Sequence, residues 1–212
     1  HWPRLALLTA KRHSDSAFKE DQLMTQAGMS DSVKAQRARI IQWMRVLLEP
    51  GQLVEVRGLQ PVRSRIFAMF SGAEFESLAD YCLRITNDCK GVYFTPNPLS
   101  TTRCRGSQNT ALDQDVEKRN WLLIDVDPKR PDHMNATTTE REASESVARS
   151  IYETLLARGF QGVVLGCSGN GHHVMVPINL PNNEESRGWH KRFLQTLGER
   201  FNTPQATVDE KT

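Results

Sequence analysis

The sequence predicts an α/β fold of the α+β kind, and three observations carry that expectation. Short apolar runs that alternate with polar residues or stop at Gly and Pro, as over 53–57 and 91–95, have the length and punctuation of strands. Longer stretches, above all 139–158 and 184–201, repeat apolar residues three and four apart, the period of a helix packed on one side. From Trp121 onward the order is strand, long helix, then the apolar run 162–166, which is βαβ-like.

Composition bounds what such a fold can do. With 212 residues, 38% hydrophobic and 25% charged, the chain can bury a core as one domain or as a domain with an appendage. A formal net charge of only +2 makes any nucleic-acid surface a local patch rather than a property of the whole chain. Cys82, Cys89, Cys104 and Cys167 form no CxxC pair, which argues against a zinc ribbon or a disulfide scaffold and suits a reducing cytoplasm. No run approaches the roughly 20 apolar residues that cross a bilayer, and no secretory signal opens the chain. The abrupt start at His1 and the stop at Thr212 lead us to expect a piece of a longer polypeptide. Its expected organisation is a helical amino-terminal segment over 1–50, somewhat separate from a second unit over 51–212.

Taken in order, 35–48 places Ile40, Ile41, Met44, Leu47 and Leu48 on one helical face, and Glu49-Pro50-Gly51 ends it. Its basic residues Lys34, Arg37, Arg39 and Arg45 fit a solvated face or a phosphate contact. Leu53-Val54-Glu55-Val56-Arg57 alternates as a strand, with Glu55 and Arg57 read as a surface pair opposite Val54 and Val56. A second strand over 65–70 follows a connection at 58–64 and breaks at Ser71-Gly72, and a helix over 73–83 repeats Phe75, Leu78, Ala79 and Cys82. The strand at 91–95 breaks at Pro96-Asn97-Pro98, and 101–109, with Arg103 and Arg105 among small polar residues, is expected to be an exposed loop.

The informative stretch is Trp121-Leu122-Leu123-Ile124-Asp125-Val126-Asp127-Pro128-Lys129-Arg130. Alternation puts Asp125 and Asp127 on one face of a strand, where the two carboxylates repel. A solvated strand end is one reading; a divalent cation on hard oxygen ligands, Mg²⁺ or Mn²⁺, is the other. Lys129 and Arg130 either offset the acids or meet phosphate oxygens. The helix at 139–158 has Thr139 as an expected cap with Glu142 three residues on, and Gly159 closes it. Cys167-Ser168-Gly169-Asn170-Gly171-His172-His173 is a glycine-rich turn between strands, read either as structural or as a small anion nest. Adjacent histidines point to opposite faces, so one of the two enters a site. In the helix at 184–201, Trp189, Phe193 and Leu197 form the expected buried stripe, and 206–210 can return Asp209 to the first two acids.

Together, Ile124-Asp125-Val126-Asp127, then Ser168-Gly169-Asn170-Gly171-His172-His173, then Val208-Asp209 resemble the three motifs of the archaeo-eukaryotic primase superfamily, most of all the primase-polymerase domains at the front of phage and plasmid replication proteins. The likeness also takes in Val54-Glu55-Val56-Arg57, Val92-Tyr93-Phe94-Thr95-Pro96-Asn97-Pro98 and 121–131, and so spans about 50–210. It implies an RNA-recognition-like catalytic core with a mixed or antiparallel sheet, joined to an amino-terminal α/β module and preceded by helices. It further implies that Asp125, Asp127 and Asp209 bind catalytic Mg²⁺ or Mn²⁺. Ser168 and His173 would contact the triphosphate, with Lys129, Arg130 and more weakly Arg57 as further nucleotide contacts. The implied activity is that of a DNA primase and DNA polymerase, with a single-stranded DNA template, a primer strand and nucleoside triphosphates as partners and a helicase domain in the same parent chain. A metal-dependent nuclease or nicking enzyme is the rival, although His172-His173 lacks the alternating histidine pair such enzymes place on one strand face. A non-catalytic nucleic-acid-binding module is the third reading.

Overall fold

A helix that starts at a serine cap ties the two halves of the chain together. In the computed structural model, which describes residues 5–8, 30–59, 66–71, 74–104, 109–131 and 134–210, Ser30 accepts a hydrogen bond from the Val33 N–H and opens α1 (Asp31–Leu47). Its buried Ile40, Met44 and Leu47 follow the three- and four-residue spacing. The helix stops before Pro50, and Gly51 turns the chain at φ +79°.

The first sheet collects β1 (Leu5–Leu8), β2 (Leu53–Leu59), β3 (Ile66–Ser71) and β4 (Gly91–Phe94) in the order β1-β4-β2-β3, every neighbouring pair antiparallel. The expectation of a helical segment over 1–50 is corrected at β1, where Leu5 lies opposite Phe94. The edge of β4 offers the backbone of residues 5–8 a ready set of partners, and residues 1–4 and 9–29 lie outside the described ones. α2 (Phe75–Ile85) packs beside α1 and buries Leu78, Ala79, Cys82 and Ile85.

The other face of this sheet is covered by a segment described over 99–104 and 109–116, which buries Leu53, Leu99, Cys104, Ala111 and Val116 together. Its first part is a single helical turn, α3 (Thr101–Cys104), in place of the exposed loop; Arg103 reaches Asp115 at 3.4 Å. Arg105 lies outside the described residues. Under this cover the Glu55 and Arg57 pair is buried rather than on the surface, Glu55 being 1% exposed. Arg57 Nε donates to Glu55 at 2.5 Å, and the Ala111 N–H donates to the other carboxylate oxygen at 2.5 Å.

The second sheet is built from β5 (Lys118–Pro128), β6 (Val164–Cys167), β7 (His172–Pro181) and β8 (Ala206–Val208), in the order β6-β7-β5-β8 and again antiparallel throughout. α4 (Thr138–Ala157) joins β5 to β6, and α5 (Glu184–Phe201) joins β7 to β8. The cap of α4 is Thr137 with Glu140 in a reciprocal box, not Thr139 with Glu142. Thr137 and Thr139 each have a glutamate three residues later, and the cap falls to Thr137 because its backbone is still extended while Thr139 is already inside the helix.

Leu122, Ile124 and Val126 point toward the helices, into a core with Val147, Ile151, Leu155, Leu194 and Leu197. The α5 stripe is therefore His190, Leu194 and Leu197; Trp189 stays 36% exposed and stacks on Phe193 at 5.2 Å. On the opposite face Leu123 and Met175 join one apolar cluster with Ile40, Met44, Leu47, Val54, Val56 and Phe94. α1 is thus wedged between the sheets. Trp121 Nε1 donates to the Leu47 carbonyl at 2.8 Å, and the Trp43 ring lies so close over Gly166 that a Cβ there would meet it at 2.2 Å.

Candidate active site

Past Leu123, the face of β5 that looks toward α1 changes from apolar to acidic. Asp125 and Asp127 follow on that face before Pro128 ends the strand. Antiparallel register puts His173 of β7 directly opposite Asp125, with Nε2 3.2 Å from Oδ1. His173 is 4% exposed. The distance suits an ion pair, but the angles do not make a hydrogen bond, and Asp125 Oδ1 is left buried without one.

β8 completes the edge on the other side. Val126 faces Val208, and the Asp209 N–H donates to the Asp125 carbonyl at 2.8 Å. The Asp209 carboxylate then adds to the field at Asp127. Burial, followed by repulsion from Asp125, pushes the Asp127 carboxyl up to about 6; Arg130 and His173 pull the other way, and Asp209 adds a smaller push upward. Asp125, Asp127, His173, Asp209 and Arg130, from three distant stretches of sequence, therefore act on one another.

The glycine-rich turn sits against the acids. A Cβ on Gly171 would lie 2.6 Å from the Val126 carbonyl oxygen and 2.9 Å from Asp127 Oδ1, so only glycine lets the turn approach this closely. Gly169 occupies φ +97°. The nest suggested by the sequence is corrected in detail. Ser168 N–H donates to the Gly171 carbonyl, Gly171 N–H to the Ser168 hydroxyl, and Gly169 N–H to Cys167 Sγ, which leaves these three amides turned inward. The Ser168 side chain is itself buried at 7% exposure, its hydroxyl accepting from Gly171, and what the turn brings forward is its close approach to Asp127.

Of the histidines, His173 alone joins the acids. His172 points to the α4 side, where its Nδ1 lies 2.9 Å from the Ser144 hydroxyl. Ser144 donates its single proton to the Arg141 carbonyl, so the imidazole is the donor to Ser144 and its Nε2 carries a lone pair. Lys129 is exposed and its backbone is anchored to the Gln205 carbonyl at 2.7 Å, while Arg130 caps the Met134 carbonyl. Arg57 belongs to a different constellation, in the first sheet, where it donates to Glu55 and to the Ala111 carbonyl.

The strand break at Pro96-Asn97-Pro98 also holds a positioning residue. Asn97, 2% exposed, accepts from the Trp121 N–H at 2.8 Å and donates to the Trp121 carbonyl at 3.1 Å, fixing the start of the acid strand. Its signal was an asparagine held between two prolines immediately after a strand.

Among the described residues no group of three or more His, Cys, Asp or Glu side chains is spaced to hold a metal ion. Asp209 is joined to the pair through its backbone and its field. The donor chemistry of the pair itself fits a hard divalent cation: two carboxylates on one strand face, one with an orphaned buried oxygen and the other with its charge disfavoured. No helix among the described residues is long and apolar enough to cross a membrane. No protein-family model, curated protein or solved structure matches the chain.

Proposed function

We propose that the chain is a primase-polymerase that carries out template-directed nucleotidyl transfer at Asp125, Asp127 and Asp209. The observation that carries this reading is the meeting, at one edge of one sheet, of the acid pair of β5, the His173 that faces it from β7, and the acid that follows β8. The β-α-β-β-α-β order of the second half, with β7 lying between β5 and β6, supports an RNA-recognition-like core.

Asp125 and Asp127 would hold Mg²⁺ or Mn²⁺, with Asp209 as the third carboxylate. Such ions, when bound, lower the pKa of an attacking 3′-hydroxyl and neutralise a triphosphate. His173, which faces Asp125 across the ladder, would donate a ring proton to a phosphate oxygen. The Ser168 hydroxyl would meet the same triphosphate from the turn, and the charges of Arg130 and Lys129 lie at the strand exit where phosphates enter. Arg57, bound to Glu55, is a weaker nucleotide contact. Nothing in this set reads a base, so pairing with a single-stranded DNA template selects the nucleotide while the protein holds the backbone and phosphates of template and primer. The four free cysteines support a reducing cytoplasm, and a helicase further along the parent chain is part of the same proposal.

The test is nucleotide incorporation on a primed single-stranded template with Mg²⁺ or Mn²⁺, in ribo- and deoxyribonucleotide mixtures. The Asp125→Ala, Asp127→Ala double variant should lose it while keeping its circular dichroism. Unchanged incorporation sinks the reading, and cleavage of the template without nucleotides would favour a nuclease.

A further inference from the structure

Among the described residues five buried side-chain polar atoms lack a hydrogen-bond partner, and four of them lie at the end of the β5–β7 ladder away from the acids. Arg119 and Asn120 stand near the start of β5, Asn182 follows the end of β7, and Lys118 and Arg119 are paired there with Pro181 and Leu180. His190, on α5, brings Nδ1 to 3.5 Å from Arg119 Nη1. A guanidinium only donates, so His190 Nδ1 accepts and the ring proton is on Nε2. Three of the four orphaned atoms are then donors: Arg119 Nε, Asn120 Nδ2 and His190 Nε2. The fourth, Asn182 Oδ1, belongs to an amide whose nitrogen donates to the Asp113 and Val116 carbonyls.

His190 is 2% exposed and Asn120 8%, so bulk water reaches neither freely. The charges nearby do not settle the Arg119 guanidinium, and the neighbouring Arg187 is itself paired, at the exposed surface, with Glu184 at 3.0 Å. Burial and then the charge of Arg187 lower the Arg119 pKa, and Asp113 offsets only part of that. A partly buried cation beside an imidazole whose Nε2 donor is unsatisfied is costly, and an anionic acceptor is what the pair lacks. A phosphate group suits it because several of its oxygens can accept at once and a guanidinium matches them in shape and charge.

We propose that Arg119, with His190 and Arg187, forms a phosphate-binding site on the helix side of the second sheet, separate from the acid cluster. Arg119 and Asp125 are about 20 Å apart along β5 at ~3.3 Å per residue, and they serve different faces. The phosphate is either free or part of a nucleic-acid backbone, and the site does not depend on the chemistry proposed for the acids.

The whole chain is titrated with inorganic phosphate at constant ionic strength, by calorimetry and by thermal unfolding, and separately with a single-stranded oligonucleotide in phosphate-free buffer. Saturable phosphate binding that raises Tm, abolished in Arg119→Met and weakened roughly tenfold in Arg187→Gln, is the expected result for free phosphate. Oligonucleotide binding weakened roughly tenfold in Arg119→Met, with no response to inorganic phosphate, assigns the site to a nucleic-acid backbone. In chloride alone, Arg119→Met should melt no lower than the parent, because it removes the charge whose acceptor is missing. Equal phosphate and oligonucleotide responses in all three proteins overturn the proposal. If Arg119→Met does not fold, Arg187→Gln decides: Arg187 is half exposed, and unchanged binding of both probes by that variant overturns the proposal equally.

Discussion

Asp125 and His173 stand opposite each other on β5 and β7, with imidazole Nε2 3.2 Å from carboxylate Oδ1, so the ladder itself sets their approach. His173→Ala would leave the buried Oδ1 with no imidazole beside it. Incorporation should fall by about 10–100-fold, the usual cost of losing an orienting partner of a metal ligand. His173→Gln, which keeps a donor, should recover part of the loss in nucleotide KM. Equal kinetics for both variants and the parent would remove His173 from the site.

Without a bound cation the two acids act against the fold. With chelator present at neutral pH, Asp127→Asn should stabilise the protein by about 1–3 kcal/mol, because it removes a charge that burial and Asp125 both disfavour. Mg²⁺ should then raise the Tm of the parent and leave that of the variant nearly unchanged. A variant less stable than the parent in chelator would show that the pair is already compensated by the protein.

Gly166 tests the wedge of α1. A Cβ there would meet Trp43 at 2.2 Å and 2.3 Å, inside contact distance of a large ring. Gly166→Ala should cost about 1–3 kcal/mol in denaturant unfolding, as overpacking does. Adding Trp43→Leu should return part of it, a coupling that a double-mutant cycle measures directly.

Much of this arrangement was legible in local pattern. The period of two that set Asp125 and Asp127 on one face, the single histidine allowed into the site, and the helix over Glu184–Phe201 all follow from backbone geometry. What escaped depends on distant cover. Leu5–Leu8 is a strand because β4 has an edge to fill, and the inward stripe of α5 is set by the sheet beneath it rather than by its most apolar residues. Glu55 and Arg57 read as a surface pair until the segment through Ala111 lies over them.

That cover predicts how Arg57 behaves. Glu55 is 1% exposed and its carboxylate is held by Arg57 and the Ala111 N–H. Arg57→Met should destabilise the fold by about 3 kcal/mol, because it removes the cation paired with a buried charge. Glu55→Gln, Arg57→Met together should cost less than Arg57→Met alone. If Arg57→Met instead keeps its Tm and raises nucleotide KM, its contact is with nucleotide and the ion pair is incidental.

His190 should give the fold a distinct acid sensitivity. Burial, followed by the charge of Arg119, lowers its pKa to about 4, against 6.5 for the free group. Between these values the unfolded chain takes up a proton that the folded chain refuses, so stability rises with pH across the window. The contribution is complete above about 6.5 and is lost as pH falls toward about 4. The size is on the order of 2–3 kcal/mol. Urea unfolding in phosphate-free buffer across that range measures it: His190→Gln, which cannot titrate, should show a flatter profile than the parent. Parallel profiles would mean that His190 is protonated in the folded protein too. The same experiment repeated in phosphate should shift the parent's loss to lower stability cost, since an anion beside Nε2 favours the imidazolium, and should leave the His190→Gln profile as it was.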